Sequence, residues 1–386
     1  MINHNIKSKI FMGPIEIAGY FSNLSNSLKN LDINHDFITY YEHKFNYGED
    51  TKKPFLLKTA KKIMHFSKNS NLLLSFIGKL IAILLQNIWG IISLFKYDVY
   101  IFGFGKSLLR GNVDLPILHL LNKTVIMVSM GSDFRPPYMD GFSTLSKDGN
   151  KEYIESLYKK TKQFKAKISF IEKYVTLVVA APCVSHFFTK NIINSQYIGK
   201  ASSSKVKSNL ENTSNYTNNY AKVEVSEKNY VKIIHAPSSP QAKGTAKIRK
   251  SIENLKNSGY KINYVELINK SNDQVINEIK DCDFIVDQIY SDTPMAIFTM
   301  EAALLGKPSI VGGYYFEFLE KFIPSGMFPP SYRCQPSEIE KAIKFLINNP
   351  DFRTKLGYEA QVFVTTKWTG ESVAKNFIRL IEGDIP

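Results

Sequence analysis

The run His235-Ala236-Pro237-Ser238-Ser239-Pro240-Gln241-Ala242-Lys243-Gly244-Thr245 leaves an apolar strand and enters a helical stretch. Backbone N–H groups at such a helix start, with a lysine beside them, suit a phosphate. One strand later the chain reads Asp287-Gln288-Ile289-Tyr290-Ser291-Asp292-Thr293-Pro294-Met295-Ala296-Ile297, then passes Glu301 to reach Gly306-Lys307-Pro308. A loop of turn formers opens a second helix here, with Pro294 expected in its first turn and Gly306 and Pro308 as stop signals. Glu301, two turns in, can accept hydrogen bonds from ribose hydroxyls while Lys243 holds a diphosphate. Residue by residue, a turn with a helix cap and a solvated glutamate account for the same pattern.

The elements that must position these groups follow an α/β rhythm. Short β-branched or aromatic runs alternate with helical stretches, which argues for parallel sheets. Strands are expected at 6–12, 35–41, 97–103, 123–129 and 174–180, with a glycine-bounded loop Gly13–Gly19 and a helix at 20–31. Residues 200–229, rich in Ser, Asn, Lys and Tyr, read as a polar linker. Beyond it come strands at 230–235, 261–268, 283–287 and 308–311, and helices at 244–258, 272–280 and 294–305. The expected division is a first domain at 1–199, the linker 200–229, a second domain at 230–366 and a last helical segment at 367–386. Two such halves are expected to enclose a cleft at strand carboxyl ends, where ligands bind.

The chain has 386 residues, 44% of them apolar and 22% charged, which fits two globular domains and excludes a disordered or collagen-like chain. Twenty-six Phe and 21 Tyr supply large cores. Forty-nine Lys and Arg against 35 Asp and Glu leave a net charge of +14, which favours anionic partners. No aromatic-and-basic motif supports a nucleic-acid role. Cys183, Cys282 and Cys334 are scattered, so neither a disulfide framework nor a structural zinc site is expected. Residues 1–15 alternate polar and apolar, and no signal peptide is expected. The reading is a reduced, cytoplasmic protein.

Residues 72–95 are predominantly apolar, yet Lys79, Gln86 and Asn87 interrupt them. Ser75, Lys79, Gln86, Gly90 and Ser93 line one side of a helix, which fits an interfacial or buried helix better than a membrane span. From Thr51 to Tyr97 there is no Asp or Glu, while lysines stand at 52, 53, 58, 61, 62, 68, 79 and 96. Such a stretch suits an anionic leaflet, at ~1 kcal/mol per lysine near the surface. The alternative is a core helix with a solvated basic flank.

The turn from His235 to Thr245, the Asp287–Pro308 segment and the order of elements resemble GT-B glycosyltransferases. The resemblance is to the family 1/family 4-like bacterial enzymes of surface-polysaccharide assembly, in capsule or lipopolysaccharide biosynthesis. In the first half, Tyr97–Gly103, Asp114–Leu120 and Val128-Ser129-Met130-Gly131-Ser132-Asp133-Phe134-Arg135 look like that family's strand, "DLPLL" and "HGSDxR" segments. The resemblance spans most of 8–384, is best in 230–312 and 97–136, and lapses in 40–96 and 200–229.

It implies two Rossmann-like domains facing each other across a cleft, with a nucleotide-sugar donor on the second and the C-terminal helix returning to the first. Lys243 would contact the donor phosphates, Gly244 and Thr245 would complete the turn, and Glu301 would hold the ribose. Leu267 and Ile268 would border the base, and Asp292, Thr293, Pro294, Met295, Ala296 and Ile297 would offer backbone N–H groups to the diphosphate. Asp133 is taken as catalytic, with Gly13, Gly19, Arg135 and His235 as cleft or acceptor candidates. Asp133 and Arg135 read equally as a pair bracing a turn, and His235 as a structural residue. No metal or other cofactor is expected.

Two positions depart from the family pattern. Thr293 stands where many members carry a second glutamate, and Met130 replaces the histidine of "HGSD". The expected function is transfer of a sugar from a nucleotide-sugar donor to a glycan acceptor, lipid-linked, with retention of configuration implied only by family. The site of action would be the inner face of the cytoplasmic membrane, reached through residues 51–96. A GT-B nucleotide-sugar epimerase needs the same donor site, and a catalytically degenerate GT-B binding protein is the non-enzymatic alternative.

Overall fold

Val, Ile, Phe and Tyr crowd the strands, and the central ones are buried throughout, as parallel strands covered on both faces must be. In the computed structural model, residues 8–40, 53–68, 71–139, 151–202, 229–324 and 326–384 are described. They form two parallel sheets. The first contains β1 (Ile10–Gly13), β2 (His35–Phe37), β3 (Val99–Gly103), β4 (Thr124–Val128), β5 (Leu177–Ala180) and β6 (Ile193–Asn194), in the order β2-β1-β3-β4-β5-β6. The second contains β7 (Val231–His235), β8 (Ile262–Glu266), β9 (Phe284–Val286), β10 (Ser309–Gly312) and β11 (Tyr332–Cys334), in the order β11-β10-β9-β7-β8. Every strand pair is parallel.

Both sheets reverse direction beside their first strand, between β1 and β3 and between β7 and β9. Those reversals are where doubly wound sheets bind ligands. Two compact units result. One holds residues 1–134, 162–195 and 374–386, and the other 135–161 and 196–373. Most of the expected linker, 203–228, lies outside the described residues, as do 6–7 of the first expected strand and 41 of the second.

In the first unit Phe11 packs against Trp89, Tyr97, Tyr100 and Phe102 at ring separations of 5.4–6.0 Å. The expected strand at 35–41 ends at Phe37. Beyond it, backbone N–H groups of Ile38 and Tyr40 bond to Met12 and Pro14 carbonyls and follow the loop after β1. All three cysteines are buried and free.

Two packed helices follow, Phe55–Lys68 and Leu72–Ser93. The Asn71 side chain caps the second helix by accepting from Leu74 N–H at 3.0 Å. Gly78 permits the close approach of the two helices, since a Cβ there would stand 2.5 Å from that of Ser67. Its C-terminal third seats on the sheet through Trp89, Gly90 and Ser93, with the Tyr100 hydroxyl donating to the Ser93 carbonyl at 2.7 Å.

Of the expected polar stripe, Gln86, Gly90 and Ser93 face the protein, while Lys79 faces outward. The bulky apolar residues also face outward: Leu72 is 92% exposed and Leu84 58%, with Leu73, Phe76, Leu80, Ile91 and Phe95 also exposed. Among the described residues this is the one helix long and apolar enough to cross a membrane.

Candidate functional site

At the reversal of the second sheet, β7 ends in His235, which is fully buried. Its Nδ1 lies 2.8 Å from the Val286 carbonyl oxygen, which can only accept, so Nδ1 carries the proton. Burial lowers the pKa of His235 to about 4, so the ring is neutral and Nε2 accepts from the Thr245 hydroxyl at 2.8 Å. His235 and Thr245 therefore bolt β7 to β9 and to the helix Thr245–Asn257, with both ring nitrogens committed inside the domain. Gly244 must be glycine: its φ is +78°, and a Cβ would stand 2.4 Å from the Ile289 side chain.

Lys243 closes a short helix, Pro240–Lys243, which is absent from the sequence expectation. Its Nζ donates to Asp287 Oδ1 at 2.5 Å. Asp287 directly follows β9 and is fully buried, and its other oxygen accepts from the Thr299 hydroxyl at 2.9 Å. The lysine is half-buried, so its ammonium is oriented by a buried anion at the carboxyl ends of the two central strands. Neither Asp287 nor Thr299 stands out in the sequence. The available signal was an aspartate directly after the apolar triplet Phe284–Val286.

Glu301 is not the solvated helix residue that its letter alone suggests. It is 3% exposed, in a helix whose residues 298–304 are all buried. Its Oε1 accepts from Asn272 Nδ2 at 2.7 Å. Burial raises its pKa to about 7, and the nearby Asp287 charge pushes the same way while Lys243 opposes. Lys243, Asp287, Thr299 and Glu301 thus form one electrostatic cluster.

The helix carrying Glu301 begins at Ile297, with Ala296 as N-cap, rather than at 294 as expected. Asp292 takes a left-handed φ of +52°. Its Oδ1 accepts from Tyr315 N–H at 2.7 Å, and the Thr293 hydroxyl donates to the Ser291 carbonyl at 3.3 Å. The turn is therefore wider than the sequence indicates, and Pro294 precedes the helix. Met295 is buried, with its carbonyl accepting from Lys200 at 2.7 Å. The helix start carries no side-chain cap, which leaves its first N–H groups for an anion. Leu267 lies in the core, whereas Ile268 is 40% exposed at the end of β8. Tyr314 and Tyr315, both partly exposed beside Asp292, extend an aromatic row that includes Phe318; the sequence reading passed over them.

In the first unit, Gly13 has φ +133°, and a Cβ would stand 2.1 Å from the Ile38 carbonyl oxygen. Gly19, at φ 80°, is the N-cap of the helix Tyr20–Lys29. Between them stands Glu16, which the sequence reading did not single out. It is buried and accepts from Ser22 N–H at 2.8 Å and Phe21 N–H at 3.4 Å, filling that helix start. Burial outweighs these bonds and raises its pKa to about 7.

Asp133 is buried after β4. Its Oδ1 accepts from Met130 N–H at 3.1 Å and from the Ser129 hydroxyl at 3.2 Å. Arg135, grouped with the second unit, donates to the Ser291 carbonyl at 2.6 Å, so it does not pair with Asp133. Among the described residues no group of three or more His, Cys, Asp or Glu is placed to share a metal ion.

No protein-family model matches the chain, and no curated protein matches it in sequence. Solved structures do. HepE of Anabaena in complex with UDP-glucose matches at TM-score 0.53 and 12% identity, over 97% of this chain and 99% of that one. A TarM mutant of S. aureus in complex with fondaparinux, alpha-GlcNAc-glycerol and UDP matches at TM-score 0.50 and 12% identity, over 97% and 99%. UDP-GlcNAc 2-epimerase from Neisseria meningitidis bound to UDP-GlcNAc matches at the same score, identity and coverage. With the two all-parallel sheets, these likenesses identify the fold as GT-B.

Proposed function

We propose that this chain is a glycosyltransferase that takes a sugar from a nucleotide-sugar donor seated on the second unit and passes it to a glycan acceptor. The observation that carries the reading is the Lys243–Asp287–Thr299 relay beside buried Glu301, at the strand reversal between β7 and β9. As the bond from the anomeric carbon to the diphosphate breaks, negative charge grows on the departing phosphate. Lys243 Nζ and the uncapped N–H groups at Ile297 meet that charge, and Asp287 keeps the ammonium oriented without reorganisation. Glu301, ionised above about pH 7, accepts from the ribose hydroxyls. Structures of HepE with UDP-glucose and of TarM with UDP share the fold and support this reading.

The experiment is a thermal-shift panel of UDP, GDP, ADP and CMP on the full chain, repeated with Glu301→Ala. Stabilisation follows ln(1 + [L]/Kd). One nucleotide should stabilise the protein, with the effect reduced in the variant; no shift with any of them overturns the donor site and favours a degenerate binding protein. The epimerase reading draws on the likeness to UDP-GlcNAc 2-epimerase. It requires conversion of donor with no acceptor present, which donor incubated alone and resolved by chromatography tests directly.

The acceptor is lipid-linked on this reading, and the enzyme works on the inner face of an anionic membrane. Support comes from the helix Leu72–Ser93, ~33 Å long, whose leucines at 72, 73, 74, 80 and 84 and Phe76 face outward while Gly78, Ala82, Gln86, Trp89, Gly90 and Ser93 face the protein. Exposed Lys58, Lys62 and Lys79 supply the complementary charge. Vesicles containing phosphatidylglycerol should co-sediment the protein, and Leu80→Glu with Leu84→Glu should abolish this. Undiminished sedimentation of that variant would refute membrane docking through this helix.

A further inference from the structure

Lys200 and Trp368 stand near the two ends of the stretch Gln196–Val373 that makes up most of the second unit, yet they meet at one place. The Lys200 ammonium lies 4.7 Å from the centre of the Trp368 ring and donates to the Met295 carbonyl at 2.7 Å. Gly199 lets the chain pass this close to the indole, since its φ is +81° and a Cβ would stand 2.6 Å from Trp368 Cδ1. Trp368 is 1% exposed and belongs to the core cluster that holds Met295 and Phe298. Its Nε1 has no hydrogen-bond partner among the described residues. The indole therefore serves this place through packing and through the face it turns to the ammonium.

Met295 immediately precedes Ala296, the N-cap of the helix Ile297–Leu304. The peptide joining the two is trans, so its C=O and N–H point in opposite directions. Pinning the carbonyl on Lys200 thus aims the Ala296 N–H away from the ammonium. That N–H has no hydrogen-bond partner among the described residues. A cation on the carbonyl also polarises the peptide, which strengthens its N–H as a donor. The helix carries no acidic residue in its first turn to oppose that polarity. Ammonium, carbonyl and N–H form a chain whose free end is a donor beside an uncapped helix start.

We propose that Lys200 is a positioning residue for the donor: through the Met295–Ala296 peptide it aims the Ala296 N–H at the terminal phosphate of a nucleoside diphosphate, and Trp368 steadies the ammonium for that task. Lys200 acts through the peptide and does not itself touch the phosphate. The assignment rests on the proposed donor site, and its test separates the two.

Isothermal titration of UDP and UMP would be run on the full chain and on Lys200→Met, Lys200→Gln and Lys200→Arg, with urea denaturation of each protein in the absence of nucleotide. Lys200→Met should bind UDP about tenfold more weakly, the order of one hydrogen bond to a charged group. Its affinity for UMP, which lacks the terminal phosphate, should match that of the parent. Lys200→Arg keeps a charge and a donor and should recover most of the UDP affinity. Should Lys200→Met fail to fold, Lys200→Gln, which keeps a donor and loses the charge, carries the same test with a loss confined to UDP. Equal UDP affinity in the parent and the folded neutral variant overturns the assignment. An equal loss for UDP and UMP, whatever the urea midpoint, overturns it too, because a merely structural lysine would not distinguish them. Failure of the parent to bind either nucleotide indicts the donor reading, and this assignment falls with it.

Discussion

The two sheets share a strand order over their first five strands, and each sends its first strand through a loop into a helix that starts behind a left-handed glycine. Gly19 has φ 80° and ψ 10°, and Gly244 has φ 78° and ψ 26°. The difference lies in what meets the helix start. After β1, the buried carboxylate of Glu16 takes the N–H groups of Phe21 and Ser22. After β7 there is no side-chain cap and no acidic residue in the first turn, and Lys243 stands beside the start, held by Asp287. One topology thus gives a self-satisfied corner in the first unit and an electropositive one in the second. On the proposed reading a single carboxylate separates the corner that receives a phosphate from the one that does not, because both helix dipoles point the same way relative to their sheets.

The largest effect should come from Lys243→Met. It leaves Asp287 buried without its cation, at a cost of about 3–5 kcal/mol, and removes the stabilisation by nucleotide. Urea denaturation with and without nucleotide measures both. Adding Asp287→Leu to that variant should restore much of the stability but none of the nucleotide effect, which separates the structural from the binding role of the pair. Recovery of nucleotide binding in the double variant would break the comparison.

Gly13→Ala comes next, with an expected loss of about 3 kcal/mol. A methyl group would be driven against the Ile38 carbonyl at a positive φ. If the first corner is purely structural toward the donor, the nucleotide-induced shift survives whenever the variant folds.

Glu301 sharpens the comparison through pH. Its folded pKa, about 7, lies above the ordinary 4.5. The stability it contributes is therefore present below about pH 4.5 and is lost as pH rises through about 7. Between pH 5 and 8, the parent should lose about 2 kcal/mol relative to Glu301→Gln. Nucleotide affinity in the parent should rise over the same interval as the carboxylate ionises, and remain flat in Glu301→Gln. Isothermal titration at three pH values reads the affinity arm.

The smallest effect is expected for Glu16→Ala, about 1 kcal/mol for loss of a helix-start acceptor, with no change in nucleotide binding. A gain of nucleotide binding at this corner would show that the carboxylate acts as a block as well as a cap.

Much of the second unit was legible in the sequence. The strand at 230–235 and the helix at 244–258 match Val231–His235 and Thr245–Asn257 closely, because apolar runs bounded by glycine and proline report local structure directly. The helix expected from 294 failed by three residues. Pro294 is a good first-turn residue, but the Asp292 carboxylate, bonded to Tyr315 N–H twenty-three positions away, holds the turn open. The burial of Glu301 was hidden for a similar reason. Its helix is apolar all round, which periodicity does not resolve into faces. Asp287 and Thr299 carry no motif, and Asp287 acquires its role from Lys243, forty-four positions away.

The helix Leu72–Ser93 shows the same limit. Its apolar content and basic surroundings are plain in the sequence, and so is its length. Which side would be buried was not: the protein takes Gly78, Ala82, Gln86, Trp89, Gly90 and Ser93 and leaves Leu80 and Leu84 outside, because close seating against the neighbouring helix needs a glycine at 78 and the Trp89 ring packs on Phe11 of the sheet. By itself the sequence determined the two-sheet α/β plan, through the order and spacing of apolar runs, and it marked Lys243 and Glu301 through turn and helix signals. Only the tertiary structure decided which carboxylates are buried, which cation each one faces and which helix start stays open. Those properties depend on desolvation and on distances across the fold, and neither is encoded in local spacing.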